Sequence, residues 1–253
     1  MLTDIILLLV GILVGIMNAI AGGGMLVGFP VLLAVGIPAL VANATSNIIV
    51  LPGQLASAYG YRKYLRQVPR IYLWLLLPCA VGAGIGATIL RHTSSNNFEK
   101  LIPGLILFAV VLFAFQPLLH FHVHKHLKST KPDNRSLFFV AAALLPLSIY
   151  GGYFGAGFGF VMLAFLGFTN LRDVHKMNAL KNLAASAMAI VSIVCLFSAH
   201  LIDWRHGLIM GVGTAIGGYF GSRLAQRVPS HTIRVVVISI GLLTASYLFL
   251  RQY

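Results

Sequence analysis

The chain has 253 residues and a formal net charge of +13, yet only 9% of its residues are charged and 58% are hydrophobic. An ordinary soluble domain carries about 25% charged residues, so the composition excludes a water-soluble globule and makes lipid the solvent for most of the chain. The basic excess does not indicate a nucleic-acid binder, because the Lys and Arg residues lie almost wholly between apolar runs, where they act as topology signals.

The first segment, 5–20, is apolar from the start and lacks a basic leader and a polar cleavage region, so it is read as retained rather than as a signal peptide. It runs into Ala21-Gly22-Gly23-Gly24 in the middle of the apolar stretch. Each glycine costs a helix interior about 1 kcal/mol relative to alanine, so consecutive glycines at this depth mark a deliberate break. The stretch from Met25 to Gly36 amounts to about 18 Å as helix and need not cross a ~30 Å hydrocarbon core. Uninterrupted apolar segments follow near 47–61, 71–90, 101–119, 182–199, 206–222 and 235–250. Cys79 and Cys195 fall inside apolar segments and imply packing rather than a disulfide framework. Tyr64, Tyr72, Trp74 and Trp204 sit near segment ends, where belt aromatics anchor.

The polar, basic stretch from His120 to Arg135 divides the chain into a first transmembrane repeat (1–119), a His/Lys-rich linker expected in the cytoplasm (120–135) and a second repeat (136–253). His120, His122, His124 and His126 alternate and would line one side of an extended strand, able to hold a metal or respond to pH; a solvated tail is the plainer reading.

Sliding the chain against itself by 135 residues superimposes the halves without a gap. Ala21, Gly22 and Gly24 fall on Ala156, Gly157 and Gly159; Asn43, Ala44 and Asn47 fall on Asn178, Ala179 and Asn182. Ser57 meets Ser192, Arg70 meets Arg205, Gly82 meets Gly217, Gly86 meets Gly221 and Ser95 meets Ser230. Duplicated halves in a membrane protein point to a transporter with its substrate site between them. If the segment around residues 21–24 is a hairpin, the halves are inverted and 14 of the 18 Lys and Arg residues face the cytoplasm, leaving Arg91, Lys100, Arg205 and Arg251 outside. If it is a single crossing, the split is 10 against 8. The inverted arrangement obeys the charge rule better.

Helix breaks at membrane depth are tolerated only where protein or a water-filled space covers the freed backbone groups. Two breaks at repeat-related positions would bring half-helix ends to a shared centre whose amides and positive dipole ends favour an anion. Close helix packing is the competing use of such glycines. Asn43, Ser46 and Asn47 share a helix face that Gln54 and Ser57 continue; the counterparts are Asn178, Lys181, Asn182 and Ser192. Amides and hydroxyls can bind oxyanion oxygens and Lys181 would add a positive charge, although Asn and Ser also join helices and Lys181 could snorkel to the interface.

The acidic residues, Asp4, Glu99, Asp133, Asp173 and Asp203, all fall in or beside loops, so a mid-membrane carboxylate relay is not expected. Coupling through a histidine such as His175 stays open. No nucleotide loop, zinc spacing or nucleophile motif occurs, and Ser198, His200 and Asp203 form a sequence cluster only. Neither a catalytic role nor a cofactor is expected.

The sequence AGGGMLVGFP with NATSN downstream, repeated as GGYFGAGFGF with NALKN and followed by IGGYFGSRLAQRVP, resembles the sulfite exporter TauE/SafE family over nearly the whole length. The resemblance implies a bacterial inner-membrane permease for sulfite, thiosulfate, sulfoacetate or a related organosulfonate. The family's glycine motif maps onto Gly22, Gly23 and Gly24 and onto Gly155, Gly157 and Gly159; its Thr-Ser position maps onto Thr45 and Ser46. The second copy departs from it with Leu180 and Lys181, which suits a dianion or a carboxylate-bearing sulfonate better than plain sulfite.

The expected protein is thus an all-α polytopic membrane protein with two inverted repeats of about five helical segments. Its substrate site would be built from Gly22, Gly23, Gly24, Asn43, Thr45, Ser46, Asn47, Gln54, Gly157, Gly159, Asn178, Lys181 and Asn182. The expected partners are a small anion and the lipid bilayer, with no nucleic acid; a homodimer is an open alternative to a monomer. An anion channel, or a membrane-embedded enzyme or assembly partner without a transport cycle, is the alternative function.

Overall fold

The structure, a computed structural model, describes residues 2–20, 22–124, 134–169, 171 and 173–225, with the backbone alone described for 112–124. No strand occurs among the described residues. The first half contains α1 (Leu2–Ile20), α2 (Met25–Ala34), α3 (Ala39–Gly60), the short α4 (Arg62–Leu65), a 3₁₀ turn (Arg70–Leu75) leading into α5 (Leu76–Arg91), and α6 (Ser95–His124). The second contains α7 (Asn134–Tyr153), α8 (Phe158–Leu166), α9 (Val174–Phe197) and α10 (Trp204–Leu224). Five helices are long and apolar enough to cross a bilayer: Leu2–Ile20, Ala39–Gly60, Arg70–Arg91, Asn134–Tyr153 and Val174–Phe197. The expected segments 101–119 and 206–222 lie within α6 and α10. The segment 235–250, the linker residues 125–133, Ser230 and the cations Arg172, Arg227, Arg234 and Arg251 lie outside the described residues.

Helix starts follow local chemistry. Asp173 caps α9 by accepting from the amides of His175 and Lys176, and Asp203 caps α10 by accepting from His206. Pro38 and Pro69 stand immediately before α3 and the 3₁₀ turn, where a missing N–H costs nothing.

The helices pack across the two halves. Helix α1 lies along α10 and α7 along α5; α3 packs on α10 and α9 on α5; α3 and α9 pack on each other. Exchanging α1 with α7, α3 with α9 and α5 with α10 leaves this pattern unchanged, and α3 and α9 begin 135 residues apart, the same offset that aligns the sequence. Small residues permit the approach: a Cβ on Gly217 would enter the Ile12 carbonyl on α1, and one on Gly86 the Ile149 carbonyl on α7.

Helix α2 turns back alongside α1. Gly24 lies against the Val14 backbone and Gly28 against the Val14 side chain, contacts that a straight continuation of α1 could not make. The segment is therefore a hairpin whose second arm is only 10 residues long. Large apolar residues such as Leu9 and Leu13 on α1, Leu77 and Val81 on α5, and Val212 and Phe220 on α10 are exposed and form the lipid-facing surface.

Candidate functional site

The two glycine breaks meet. After α1, the chain reverses through Gly22 (φ 89°) and Gly23 (φ 92°); after α7, it does so through Gly155 (φ 80°) and Gly157 (φ 89°). These left-handed conformations are open to glycine and costly for residues with a Cβ. A Cβ built on Gly22 would stand 2.9 Å from the Cα of Gly159, and one on Gly23 would enter the ring of Phe160. The start of α2 therefore touches the start of α8 at the interface of the halves.

A cavity of about 60 Å³ opens at this junction. Roughly 10–15 Å³ admits one water, so it suits a group of a few heavy atoms. Its wall includes Gly22, Gly23 and Met25 from the first break, Ala156, Phe158 and Gly159 from the second, Asn47 and Gln54 from α3, Ser192 from α9 and Asn18 from α1. The first residues of both short helices thus face one space, and a helix N-terminus is where backbone amides lack intrahelical partners. In α2 the amides of Leu26, Val27 and Gly28 fold back onto the carbonyls of Gly23 and Gly24. The Oε1 of Gln54 and the Oγ of Ser192 are buried with no hydrogen-bond partner. Unpaired buried polar atoms are expensive, typically about 1–3 kcal/mol each, and are retained where a ligand or water completes them.

Of the residues expected from the sequence, Gly22, Gly23, Asn47, Gln54 and Gly159 line the cavity; Gly24, Asn43, Thr45, Ser46, Gly157, Asn178, Lys181 and Asn182 do not. The Gly24 amide donates to Asn18 Oδ1 at 2.8 Å, which fixes the turn. Gly157 sits beside Ala109 of α6. Asn43 on α3 donates to the carbonyl of Tyr153, the last residue of α7, at 2.8 Å. Lys181 on α9 is fully buried, and its Nζ donates to the carbonyl of Asn18, in the last turn of α1, at 2.7 Å and to Asn178 Oδ1 at 3.0 Å.

Asn18 and Tyr153 are themselves 135 residues apart, so each half ties down the helix end that precedes the other half's break. Helix C-terminal carbonyls lack intrahelical partners, and a cation there also complements the helix dipole. Lys181 accordingly lies in the core, not at an interface, and no carboxylate bonds it among the described residues.

Ser46 donates to the Asn43 carbonyl at 2.6 Å, and Thr45 Oγ1 accepts from the amide of Asp203 at 2.9 Å. Asn182, the counterpart of Asn47, is fully buried with both amide atoms unpartnered and does not line the cavity. Ser57 joins α3 to α10 through the Gly218 carbonyl at 3.1 Å. His175 stands away from the cavity with its ring centroid 4.9 Å from that of Tyr64. Asp203 accepts from His206 Nδ1 at 2.7 Å as part of the α10 cap, without Ser198 or His200. Among the described residues no cluster of three or more His, Cys, Asp or Glu residues could hold a metal ion.

Sequence reasoning missed Asn18. It is an Asn inside an apolar run, four positions ahead of the first glycine, and the two sides of its peptide serve different partners: the side chain caps the turn and the carbonyl accepts Lys181.

Residues 7–248 match the family Sulfite exporter TauE/SafE, and the chain belongs to that family. It is 30% identical to a probable membrane transporter protein of Haemophilus influenzae, across 96% of this chain and 94% of that one. It is 29% identical to the probable membrane transporter protein ORF9 of a Sinorhizobium species, across 90% of this chain and 86% of that one, and 25% identical to the probable membrane transporter protein YfcA of Escherichia coli K12, across 96% and 89%. No solved structure matches. The chain is a multi-pass membrane transporter.

Proposed function

We propose that the protein carries a small sulfur oxyanion or organosulfonate, such as sulfite, thiosulfate or sulfoacetate, across the bacterial inner membrane by alternating access around the cavity where its two glycine breaks meet. The observation that carries this reading is the contact of Gly22 with Gly159 beside a small cavity walled by both half-helix starts and by Ser192, whose hydroxyl has no partner and can donate. A tetrahedral or pyramidal oxyanion offers only acceptor oxygens, to which backbone amides and the Ser192 hydroxyl can donate; Gln54 can serve it only through its Nε2, because its unpaired Oε1 is itself an acceptor.

The hairpin of α1 and α2 supports inverted halves, since a returning arm preserves the parity that puts most Lys and Arg residues on the cytoplasmic side. Asn43 and Lys181 tie equivalent helix ends, Tyr153 and Asn18, from positions that are not themselves register counterparts, since Asn43 falls on Asn178 and Lys181 on Ser46. Rocking one half against the other would make and break these ties while the breaks stay at the pivot, which is the mechanical content of alternating access here.

Lys181 adds what Asn43 does not: an ammonium one residue removed from the cavity wall at Asn18. Its field favours a second negative charge on the solute, hence a dianion such as thiosulfate or a carboxylate-bearing sulfonate over a monoanion.

Flux of sulfite, thiosulfate and sulfoacetate into proteoliposomes, read by an encapsulated sensor or by tracer, tests the proposal. Saturable flux of one of these anions, competed by the others and absent from empty liposomes, is the expected result. Flux that never saturates would indicate a channel, and chemical conversion of the anion without flux would indicate an enzyme; either would overturn the proposal.

A further inference from the structure

Where α3 ends at Gly60 and α10 ends at Leu224, an open groove of about 840 Å³ lies between the two halves. Arg62, Lys63 and Gln67 line one side and Arg223 the other, with Ile16 and Phe220 supplying apolar wall. The guanidinium of Arg62 stands 4.4 Å from the ring centroid of Tyr59, and that of Arg223 stands 4.5 Å from that of Tyr219. The two rings stack on each other at 6.3 Å. One arginine from each half is therefore held by a joined aromatic pair, a geometry that fixes a planar fork in place. Among the described residues neither arginine, nor Lys63, is paired with a carboxylate.

The duplication supplies an internal control. Shifting by 135 residues carries this groove onto the one between α5 and α9, lined by Ile85, Thr88, Ile89 and Cys195 among others. There Phe197 stands for Arg62, Ser198 for Lys63 and Thr88 for Arg223, while Val194 and Gly84 replace the two tyrosines. The fold makes the groove twice and gives it cations once. Packing therefore does not demand them, and a topology signal needs charge but no guanidinium stacked on a tyrosine ring from each half.

We infer that the α3–α10 groove is a binding site for the headgroup of an acidic phospholipid, its phosphate held between Arg62 and Arg223. The residues along the membrane side of the groove decide for lipid over a free anion: Leu55 and Tyr59 on α3 and Phe220 and Leu224 on α10 are all exposed, apolar and continuous with the span, where acyl chains would lie. A diester phosphate accepts the paired N–H donors that guanidinium groups present. Because α3 and α10 belong to different halves, a lipid bound here clamps the halves at one end, and its release would free them. This inference stands on the groove alone and does not depend on which anion is transported.

The test is native mass spectrometry of the purified protein with phosphatidylglycerol and phosphatidylcholine in equal amounts. Wild type should retain phosphatidylglycerol selectively. The pair Arg62→Gln and Arg223→Gln should lose that preference by about tenfold or more, whereas Arg66→Gln with Arg70→Gln, which removes the same charge at exposed positions outside the groove, should keep it. Should the double groove variant fail to fold, Arg223→Gln alone should show a reduced preference, with monodispersity on size exclusion as the check on folding. Equal loss in both pairs would reduce the effect to diffuse charge and overturn the site. Displacement of bound lipid by excess inorganic phosphate would assign the groove to a free anion and equally overturn the lipid assignment.

Discussion

Replacing Lys181 by Met gives the most informative perturbation of the proposed site. The variant keeps the length of the buried side chain but removes the donor that spans from α9 to the Asn18 carbonyl, 2.7 Å away, and to Asn178 Oδ1, 3.0 Å away. For the fold, two opposing effects follow: two acceptors lose a partner, at about 1–3 kcal/mol each, while a buried cation that is costly to desolvate disappears. The net change in melting temperature is therefore small. For an anion in the cavity nothing offsets the loss. For a protonated Lys181 and an anion seated beside Asn18, an assumed separation of about 6 Å at an effective dielectric near 20 gives an attraction of about 3 kcal/mol per unit of substrate charge. That is a factor of about 100 in affinity for a monoanion and about 10⁴ for a dianion. The assay is equilibrium binding or half-saturation of flux for sulfite, thiosulfate and a monoanionic sulfonate, in wild type, Lys181→Met and Lys181→Arg. The Met variant should lose affinity twice as steeply, on a logarithmic scale, for the dianion, and Arg should restore most of it. Equal losses for mono- and dianions, with the melting temperature lowered in step, would show that Lys181 only holds helices and would refute the reasoning.

Ser192→Ala and Gln54→Leu remove polar atoms that have no partner in the fold, so each should leave the melting temperature unchanged or raised while weakening transport about 5- to 30-fold, the loss of roughly 1–2 kcal/mol of substrate hydrogen bonding; a melting temperature that falls instead would mark them as structural. Gly22→Ala places a Cβ 2.9 Å from Gly159 in a left-handed backbone and should destabilise by about 2–4 kcal/mol, read as a lower detergent melting temperature together with lost flux. For Asp203, burial pushes the carboxyl upward but the hydrogen bonds and charge of His206 pull it further down, so the folded pKa lies below the unfolded one; the α10 cap is present above the ordinary carboxylate range and is lost as pH falls through the lowered value, a dependence that Asp203→Ala should abolish in pH-resolved thermal unfolding. With Cys195 replaced by Ser, a cysteine at exposed Ala34 should be labelled by an impermeant thiol reagent from the periplasm and one at exposed Arg66 only after lysis; the reverse pattern or equal labelling would contradict the proposed orientation.

The gross fold was legible because lipid leaves few options. Apolar runs between basic loops become helices, and a glycine cluster inside such a run becomes a break. The 135-residue register was readable from residues that composition alone would not match, and it reappears in the start points of α3 and α9. The inner organisation was less legible. Asn43, Asn47, Asn178 and Lys181 recur at helical spacing, which puts them on a face but does not say what that face meets. In three dimensions Asn47 reaches the cavity, while Asn43 and Lys181 reach the ends of α7 and α1. Those carbonyls are backbone atoms, so no side-chain pattern announces them. Asn18 escaped notice for the same reason: its role depends on a turn that folds Gly24 back over it. Ser57 and Ser192 occupy equivalent sequence positions, yet one bonds across to Gly218 and the other is left unpaired beside the cavity, a difference set by the neighbouring helix rather than by either serine.

An experimental structure of the protein in lipid, determined with thiosulfate or its selenium analogue present, tests the central claim most directly. Density for the anion should fall between Gly22 and Gly159, within hydrogen-bond reach of Gln54 and Ser192. A cavity that stays closed there while the anion binds elsewhere would contradict it.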